Sequence, residues 1–295
     1  MKRIGIDVGG IQLRIASFDE NYKLLEVHKI KNDRSLSAKE NMIKLLSTIS
    51  DYSGYLGAGI GCPGPLDLKK GKILIPPNLF GWDNFSIVET VERYTGLKTY
   101  LNNDANVAGL AEAVLGGGRG YDSVCYIGIS TGIGGAYILN GNIINGANGN
   151  AAEFWNMIVN EDHHHHRNAN AGSLNEQCSG SGLKTIATEE YGRDVEPKEL
   201  FSMYEKDDKK AVTIIERAAE VMARGVANIT CMMDPDCIVV GGSIVIHNPF
   251  FVDMIYRRAL KYCIAPEKLR IEKALYGDDA GLIGAALLVK EKNNG

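Results

Sequence analysis

The chain has 295 residues, 45% of them hydrophobic and 23% charged, with a formal net charge of -4. That length suits two α/β domains, each burying its own core, and the charge balance excludes the concentrated basic face that nucleic-acid binding needs. The six cysteines form no CxxC pair, the chain opens "MKRIGID" as a strand, and no apolar run nears a membrane span, so a cytoplasmic protein with reduced thiols and no membrane partner is expected.

In chain order, "RIGIDVGG", "LRIASFD" and "LLEVHKI" predict three short strands joined at Gly9-Gly10 and Glu20-Asn21, followed by a helix from about Ser37 to Ser50. "SIVETVERYTG" and "VAGLAEAVLGG" have helical periodicity. Near Ser123 the pattern restarts with "SVCYIGIS", "GGAYILN" and "NIIN", which implies two similar halves. Residues 148–181 are polar, glycine-rich and weakly periodic, as in a long functional loop. A long helix follows over "AVTIIERAAEVMARGVANITCMM", then a buried strand "CIVVGGS" and a closing helix "AGLIGAALLVKEK". This alternation favours a layered α/β architecture. The expected domains are 1–118, with 280–295 packing back on it, and 119–279.

Two segments, "GIDVGGIQLRI" and "GISTGIGGAYI", carry glycines where backbone N–H groups can approach a phosphate. Gly9, Gly10, Gly132 and Gly134 lie in them, and the Thr131 hydroxyl adds a donor. Both lead into another strand, so neither is a dinucleotide fingerprint, and "SGSGLKT" lacks the glycine that a P-loop places before its lysine. Each is also compatible with an ordinary hairpin turn. Asp7 ends an apolar strand, a costly place for a carboxylate unless it meets a cation or a set of donors, and a Mg2+-nucleotide would supply one. "YLNNDANVAGLAEA" puts Asn102, Asn103, Asp104 and Asn106 at a strand-to-helix turn. One such residue would serve as an N-cap; four suggest a carboxylate that takes the proton of an attacking hydroxyl, flanked by amides that read other hydroxyls.

"GIDVGG", "GCPGPLD", "NLFGWDN", "NNDANVAGLAEA", "IGISTGIGGAYI", "GANGNAAEF" and "DPDCIVVGGS" together resemble, in order and spacing, the ROK family of sugar kinases and sugar-responsive repressors across nearly the whole chain. The resemblance implies an actin-like ATPase (ribonuclease H-like) fold of two domains with an interdomain active-site cleft. It also implies transfer of phosphate from ATP, with Mg2+, to a sugar hydroxyl, in a chain that is commonly a homodimer. Asp104 matches the catalytic base. Asn103 and Glu153 match sugar-hydroxyl ligands, Gly64 and Asn78 the sugar-side loops, and Gly10, Thr131, Gly132, Gly242 and Ser243 the nucleotide side. Family repressors begin with a DNA-binding segment, whereas this chain starts at the first phosphate loop, so a kinase is expected.

The sequence departs from the family pattern in three ways. Asn156 stands where a zinc-binding histidine is usual, and Ser173 and Asn175 stand where a zinc cysteine and a second sugar-reading glutamate are usual. No structural zinc is expected, and His163 to His166 are read as a solvated run, since adjacent side chains in an extended loop alternate in direction. Ile11 replaces a threonine that would lend a hydroxyl to the nucleotide phosphates. Amides at Asn156 and Asn175 suit a sugar whose anomeric oxygen is already linked, so the chain resembles the β-glucoside kinases of the family, which are similar in "NE" followed by Cys178 and in "DAGLIGA". Glucokinase, an N-acetylhexosamine or N-acetylmannosamine kinase and a non-catalytic sugar-binding sensor are the alternatives.

Overall fold

The structure, a computed structural model, describes residues 1–162 and 169–290. His163 to His166 therefore lie outside the described residues. The chain divides into two compact units: Met1–Ala111, Asn145–Asn150 and the chain from Asp278 on form the first, Glu112–Ile144 and Ala151–Gly277 the second.

The first unit is built on strands β1 (Lys2–Val8), β2 (Gln12–Phe18) and β3 (Leu24–Lys31), helix α1 (Ala38–Leu46), strands β4 (Tyr55–Cys62), β5 (Leu66–Asp67) and β6 (Lys72–Ile73), helix α2 (Ile87–Thr95), strand β7 (Thr99–Asn103) and helix α3, which starts at Asp104 and runs to Val114. The main sheet has the order β3-β2-β1-β4-β7, the first three antiparallel and β1, β4 and β7 parallel. Alternating residues of β1 and β4, Ile4, Ile6 and Ile60 among them, pack with Met42, Leu45 and Leu46 of α1 and Ile87 and Val91 of α2. Ser37 starts α1 with a reciprocal capping box to Glu40, and Gly96, left-handed at φ 71°, ends α2.

The second unit repeats the plan with β8 (Ser123–Ile129), β9 (Ile133–Leu139), β10 (Asn142–Ile143), helices α4 (Leu174–Cys178), α5 (Gly180–Tyr191), α6 (Pro197–Tyr204) and α7 (Lys209–Met233), strand β11 (Cys237–Gly241), helices α8 (Ser243–His247) and α9 (Phe250–Ala259) and strand β12 (Ile271–Lys273). Its sheet order β10-β9-β8-β11-β12 has the same antiparallel-then-parallel sense, so the restart near Ser123 is a repeat in three dimensions. The 25-residue α7 opens on Asp208, whose carboxylate accepts from the N–H groups of Lys210 and Ala211. Its apolar face, including Met222 and Val226, covers Ile127, Ile238 and Val240 of the sheet.

The expected long loop over 148–181 is shorter than the sequence suggested. A turn of 3-10 helix over Phe154–Asn156 and all of α4 lie within it, and α5 begins at Gly180. Some of its polar residues serve as caps: the Ser179 hydroxyl accepts from Gly182 N–H at the start of α5.

The last helix, α10 (Ala280–Leu287), returns to the first unit and lies on β1 and β4. Glycines make this approach possible. A Cβ on Gly5 would stand 2.2 Å from the Leu282 carbonyl oxygen, and one on Gly59 1.8 Å from that of Ala285.

Candidate functional site

In the first unit the parallel register aligns Asp7 with Gly61, Gly61 with Asn102, and Cys62 with Asn103. Asp7, Asn103 and Asp104 therefore share the carboxyl edge of β1, β4 and β7, where α/β sheets place their ligands. Cys62 reports the same crowding: burial pushes its thiol well up, and the charges of Asp104 and Asp7 add to the push. Gly64 joins them, since a Cβ there would lie 3.6 Å from the Asn103 Nδ2, and the carbonyl oxygen of Asn78 approaches so close to Gly10 that a Cβ would meet it at 2.5 Å.

The four polar residues of the turn divide their work. Asn102 is buried, and its Oδ1 accepts from Asn103 N–H (2.8 Å) and Asn106 Nδ2 (3.0 Å) while its Nδ2 donates to Asn145 Oδ1 (3.0 Å). It holds the turn, and the expectation that this amide reads substrate does not fit its bonding. Asn103 and Asp104 both accept from Ala105 N–H, at 2.9 and 2.8 Å, which starts α3 and leaves Asp104 half-buried. A carboxylate fixed at a strand end, at the mouth of a helix, is placed to take a proton from a hydroxyl.

The bonds at the first glycine loop say which cation meets Asp7 and where the Gly9 N–H points. The donor that meets Asp7 is Arg14, its cross-strand neighbour, through Nε at 2.9 Å and Nη2 at 2.8 Å, and Arg14 also donates to the Asp278 carbonyl at 2.5 Å. The N–H of Gly9 donates to the Gln12 carbonyl (3.0 Å) and closes the hairpin, which takes it out of the phosphate donors expected at this loop. Ile11 projects outward, 81% exposed.

In the second unit Ser130 knits the glycine loop to two other segments. Its N–H donates to Gly132 O (2.8 Å), its carbonyl accepts from Gly180 N–H (2.8 Å) and its hydroxyl accepts from Ser243 N–H (2.9 Å). Gly242 precedes Ser243 at φ 89°, with Ile129 so close that a Cβ would stand 2.4 Å from its carbonyl oxygen. A cavity of about 590 Å³ opens over these loops, lined by Ser130, Thr131, Ser181 and Ser243 at one end and by Phe201 and His247 among others. Size and lining suit a nucleoside with its phosphates toward the hydroxyls. Lys184, paired with Glu196 and with Asp194 (3.2 Å), lines the same cavity. The sequence reading missed these residues because Lys184 lies on α5 and Glu196 just before α6, and a helical signal says nothing of what a residue faces. Gly134, in contrast, pairs with Gly128 inside the β8–β9 ladder, one residue beyond the turn.

Glu153 accepts from the indole N–H of Trp155. Asn156 Oδ1 accepts from Asn170 N–H (2.8 Å), and Asn175 Oδ1 accepts from Ile133 N–H (3.1 Å). Because both partners are N–H donors, the amide oxygens must face them, so each asparagine turns its NH2 group elsewhere, and Asn175 Nδ2 donates to Glu176 Oε1 (3.3 Å). Cys178 is buried and its Sγ donates to the Ala218 carbonyl (3.3 Å), and Ser173, just before α4, is buried too. Among the described residues no group of three or more His, Cys, Asp or Glu side chains is arranged to hold a metal ion.

A family model described as "ROK family" matches residues 3–292. The chain belongs to the ROK family. Its fold is the actin-like ATPase fold, in keeping with the repeated sheets. A glucokinase of Thermotoga maritima is 27% identical, the alignment covering 100% of this chain and 99% of the relative. A ROK hexokinase of Thermus thermophilus superposes with a TM-score of 0.89 at 29% identity, covering 97% of each chain. A ROK glucokinase of Streptomyces griseus, solved with glucose and AMPPNP, gives 0.78 at 26% identity, covering 98% of this chain and 99% of that one. Other ROK relatives at 28–29% identity are named for other sugars, among them a β-glucoside kinase and N-acetyl-D-glucosamine kinases, so identity alone does not choose the sugar.

Proposed function

We infer that this ROK protein phosphorylates the 6-hydroxyl of a hexose carried as a β-glucoside, with ATP as donor. It is a carbohydrate kinase: Asp104 takes the proton of the attacking hydroxyl, Asn103 and Gly64 border it, and the serine- and threonine-lined cavity of the second unit takes the nucleotide. Glu153 and Asn78 are assigned to other sugar hydroxyls. Mg2+ would neutralise charge on the phosphates. Asp7, the carboxylate expected to hold it, is already balanced by Arg14, so the ion would come with the nucleotide and be held chiefly by its phosphates.

One observation carries the choice of sugar: Asn156 and Asn175 both commit their carbonyl oxygens to backbone N–H groups and present amide donors, Asn175 through the N–H it does not give to Glu176 Oε1 (3.3 Å). A free sugar offers a proton on its anomeric hydroxyl and is well met by a carboxylate. A glycoside offers only an acceptor oxygen there, which an amide N–H satisfies. Cytoplasmic location and a homodimer belong to the same reading.

An ADP-release assay over a sugar panel tests it. The expected ratio of kcat/KM for cellobiose or another β-glucoside to that for glucose, N-acetylglucosamine or N-acetylmannosamine is above one. A ratio below one against any free sugar removes the glycoside and leaves the kinase. ATP turnover with no sugar in the panel, beside measurable sugar binding, would establish a sensor instead.

A further inference from the structure

Asn156 and Asn175 lie on separate segments, a short 3-10 turn and the five-residue α4, neither long enough to hold its own orientation. Backbone bonds bring the segments together, Leu174 N–H to Met157 O at 3.0 Å and Val159 N–H to Gly172 O at 2.9 Å, with Ile158 and Ser173 bridged between them. Gly172, at φ 73°, lets the chain pass where a Cβ would stand 2.2 Å from the Asn160 carbonyl oxygen. Beyond these, two side-chain amides face each other. Asn160 Nδ2 donates to Gln177 Oε1 at 2.9 Å, and Gln177 Nε2 returns a bond to Asn160 Oδ1 at 3.1 Å. Gln177 Nε2 also donates to the Ser173 carbonyl (3.2 Å), and Gln177 is 2% exposed, so water does not replace these partners.

We propose that the Asn160–Gln177 amide pair is the positioning device that sets the two sugar-facing asparagines relative to each other, and that sugar affinity in this protein depends on it. Gln177 follows Asn175 by two residues and Asn160 follows Asn156 by four, so the pair ties the segments just behind the groups they present. Only two primary amides exchange a donor and an acceptor in both directions; a carboxylate at either place loses half of the exchange. The pair joins the two segments through protein groups. This inference rests on the assignment of Asn156 and Asn175 to the sugar.

The test uses the full chain and the variants Gln177→Glu, Gln177→Ala, Asn160→Ala and Asn160→Ala with Gln177→Ala. Losing the reciprocal bonds should raise the KM for the sugar about tenfold while kcat and the KM for ATP stay within about threefold. The double variant should show less than the sum of the two single penalties, since both remove the same amide pair and each loses one bond of its own, Gln177 to the Ser173 carbonyl and Asn160 from the Asp162 N–H. Should Gln177→Ala fail to fold, Asn160→Ala, at a half-buried position, and Gln177→Glu, which keeps the acceptor for Asn160 Nδ2, carry the measurement. An unchanged sugar KM in those two variants, a parallel fall in all kinetic constants, or additive penalties would overturn the proposal. Asn156→Ala and Asn175→Ala, run beside them, separate the readings: if these leave sugar KM unchanged, the assignment of the two asparagines fails. If the parent prefers free glucose while the KM split persists, only the glycoside fails. In a parent without turnover, sugar affinity by calorimetry replaces KM with the same expected change.

Discussion

Replacing Asp104 with asparagine separates its chemical work from its structural work. Asp104 Oδ1 accepts the Ala105 N–H at 2.8 Å, and Asn103 Oδ1 accepts the same group at 2.9 Å. Asparagine keeps an oxygen for that bond, and Asn103 stands as a second acceptor, so α3 still starts at the same place. The structural loss is one negative charge in the first helical turn, about 0.3–1 kcal/mol. The chemical loss is the proton acceptor, about 10²–10⁴ in turnover, or roughly 3–5 kcal/mol of barrier. Turnover of Asp104→Asn should therefore fall at least a hundredfold while the thermal midpoint moves only a few degrees. An ADP-release assay with saturating sugar and ATP reads the first, and a thermal melt reads the second. Turnover within a few-fold of the parent would refute the base assignment, and a collapse of the melt together with turnover would assign Asp104 to structure instead.

The other predictions concern neighbouring features. Glu112, fully buried in the second unit, accepts from the N–H groups of Leu275, Tyr276 and Gly117. Glu112→Ala should cost about 3 kcal/mol or more in urea unfolding and Glu112→Gln about 1–3, since glutamine keeps one of the two acceptor oxygens; equal costs would contradict this bonding. Ile11→Thr should raise kcat/KM for ATP by adding a hydroxyl at the first glycine loop, and, with Ile11 81% exposed, should change stability by no more than about 0.5 kcal/mol. An unchanged or lower kcat/KM would show that the residue has no part in binding phosphate. Burial pushes the thiols of Cys125 and Cys237 up to about 12 and raises those of Cys62 and Cys178 well above their ordinary value. A raised thiol pKa means less thiolate at any given pH, so these four should resist a thiol reagent from pH 7 to 9 in the folded protein, whereas exposed Cys231 reacts; rapid labelling of all six without denaturant would be the contrary result.

Much of the fold was legible because its signals are local. Alternating apolar residues around Gly9-Gly10 and again after Ser123 mark the two hairpins, and an acidic residue at a strand-to-helix turn marks Asp104. What stayed hidden depends on partners far along the chain or on the backbone. Arg14 became visible as the partner of Asp7 only through the hairpin register, although the tight turn at Gly9-Gly10 already sets the two strands opposite each other. Asn102 looked like a substrate ligand, but its partner Asn145 is remote in sequence. The carbonyls of Asn156 and Asn175 are spent on N–H groups of Asn170 and Ile133, and backbone donors leave no mark in a string of side-chain letters. In 148–181 the polar residues that cap α5 and brace α4 read as loop because capping residues and loop residues are the same types.

The return of α10 to β1 and β4 has a consequence for how the protein is made. The strands that α10 covers are translated first, and the helix that covers them is translated after the whole second unit. At about 5–20 residues per second, roughly 10–40 s pass between the end of the first unit's leading segment and the emergence of Ala280. During that interval the face of β1 and β4 at Gly5 and Gly59 has no α10 to cover it, while the strands of the second unit emerge in turn, β12 last. The second unit therefore has all of its described strands before the first unit has its closing helix, so completion of the earlier-made half waits on the last segment of the chain.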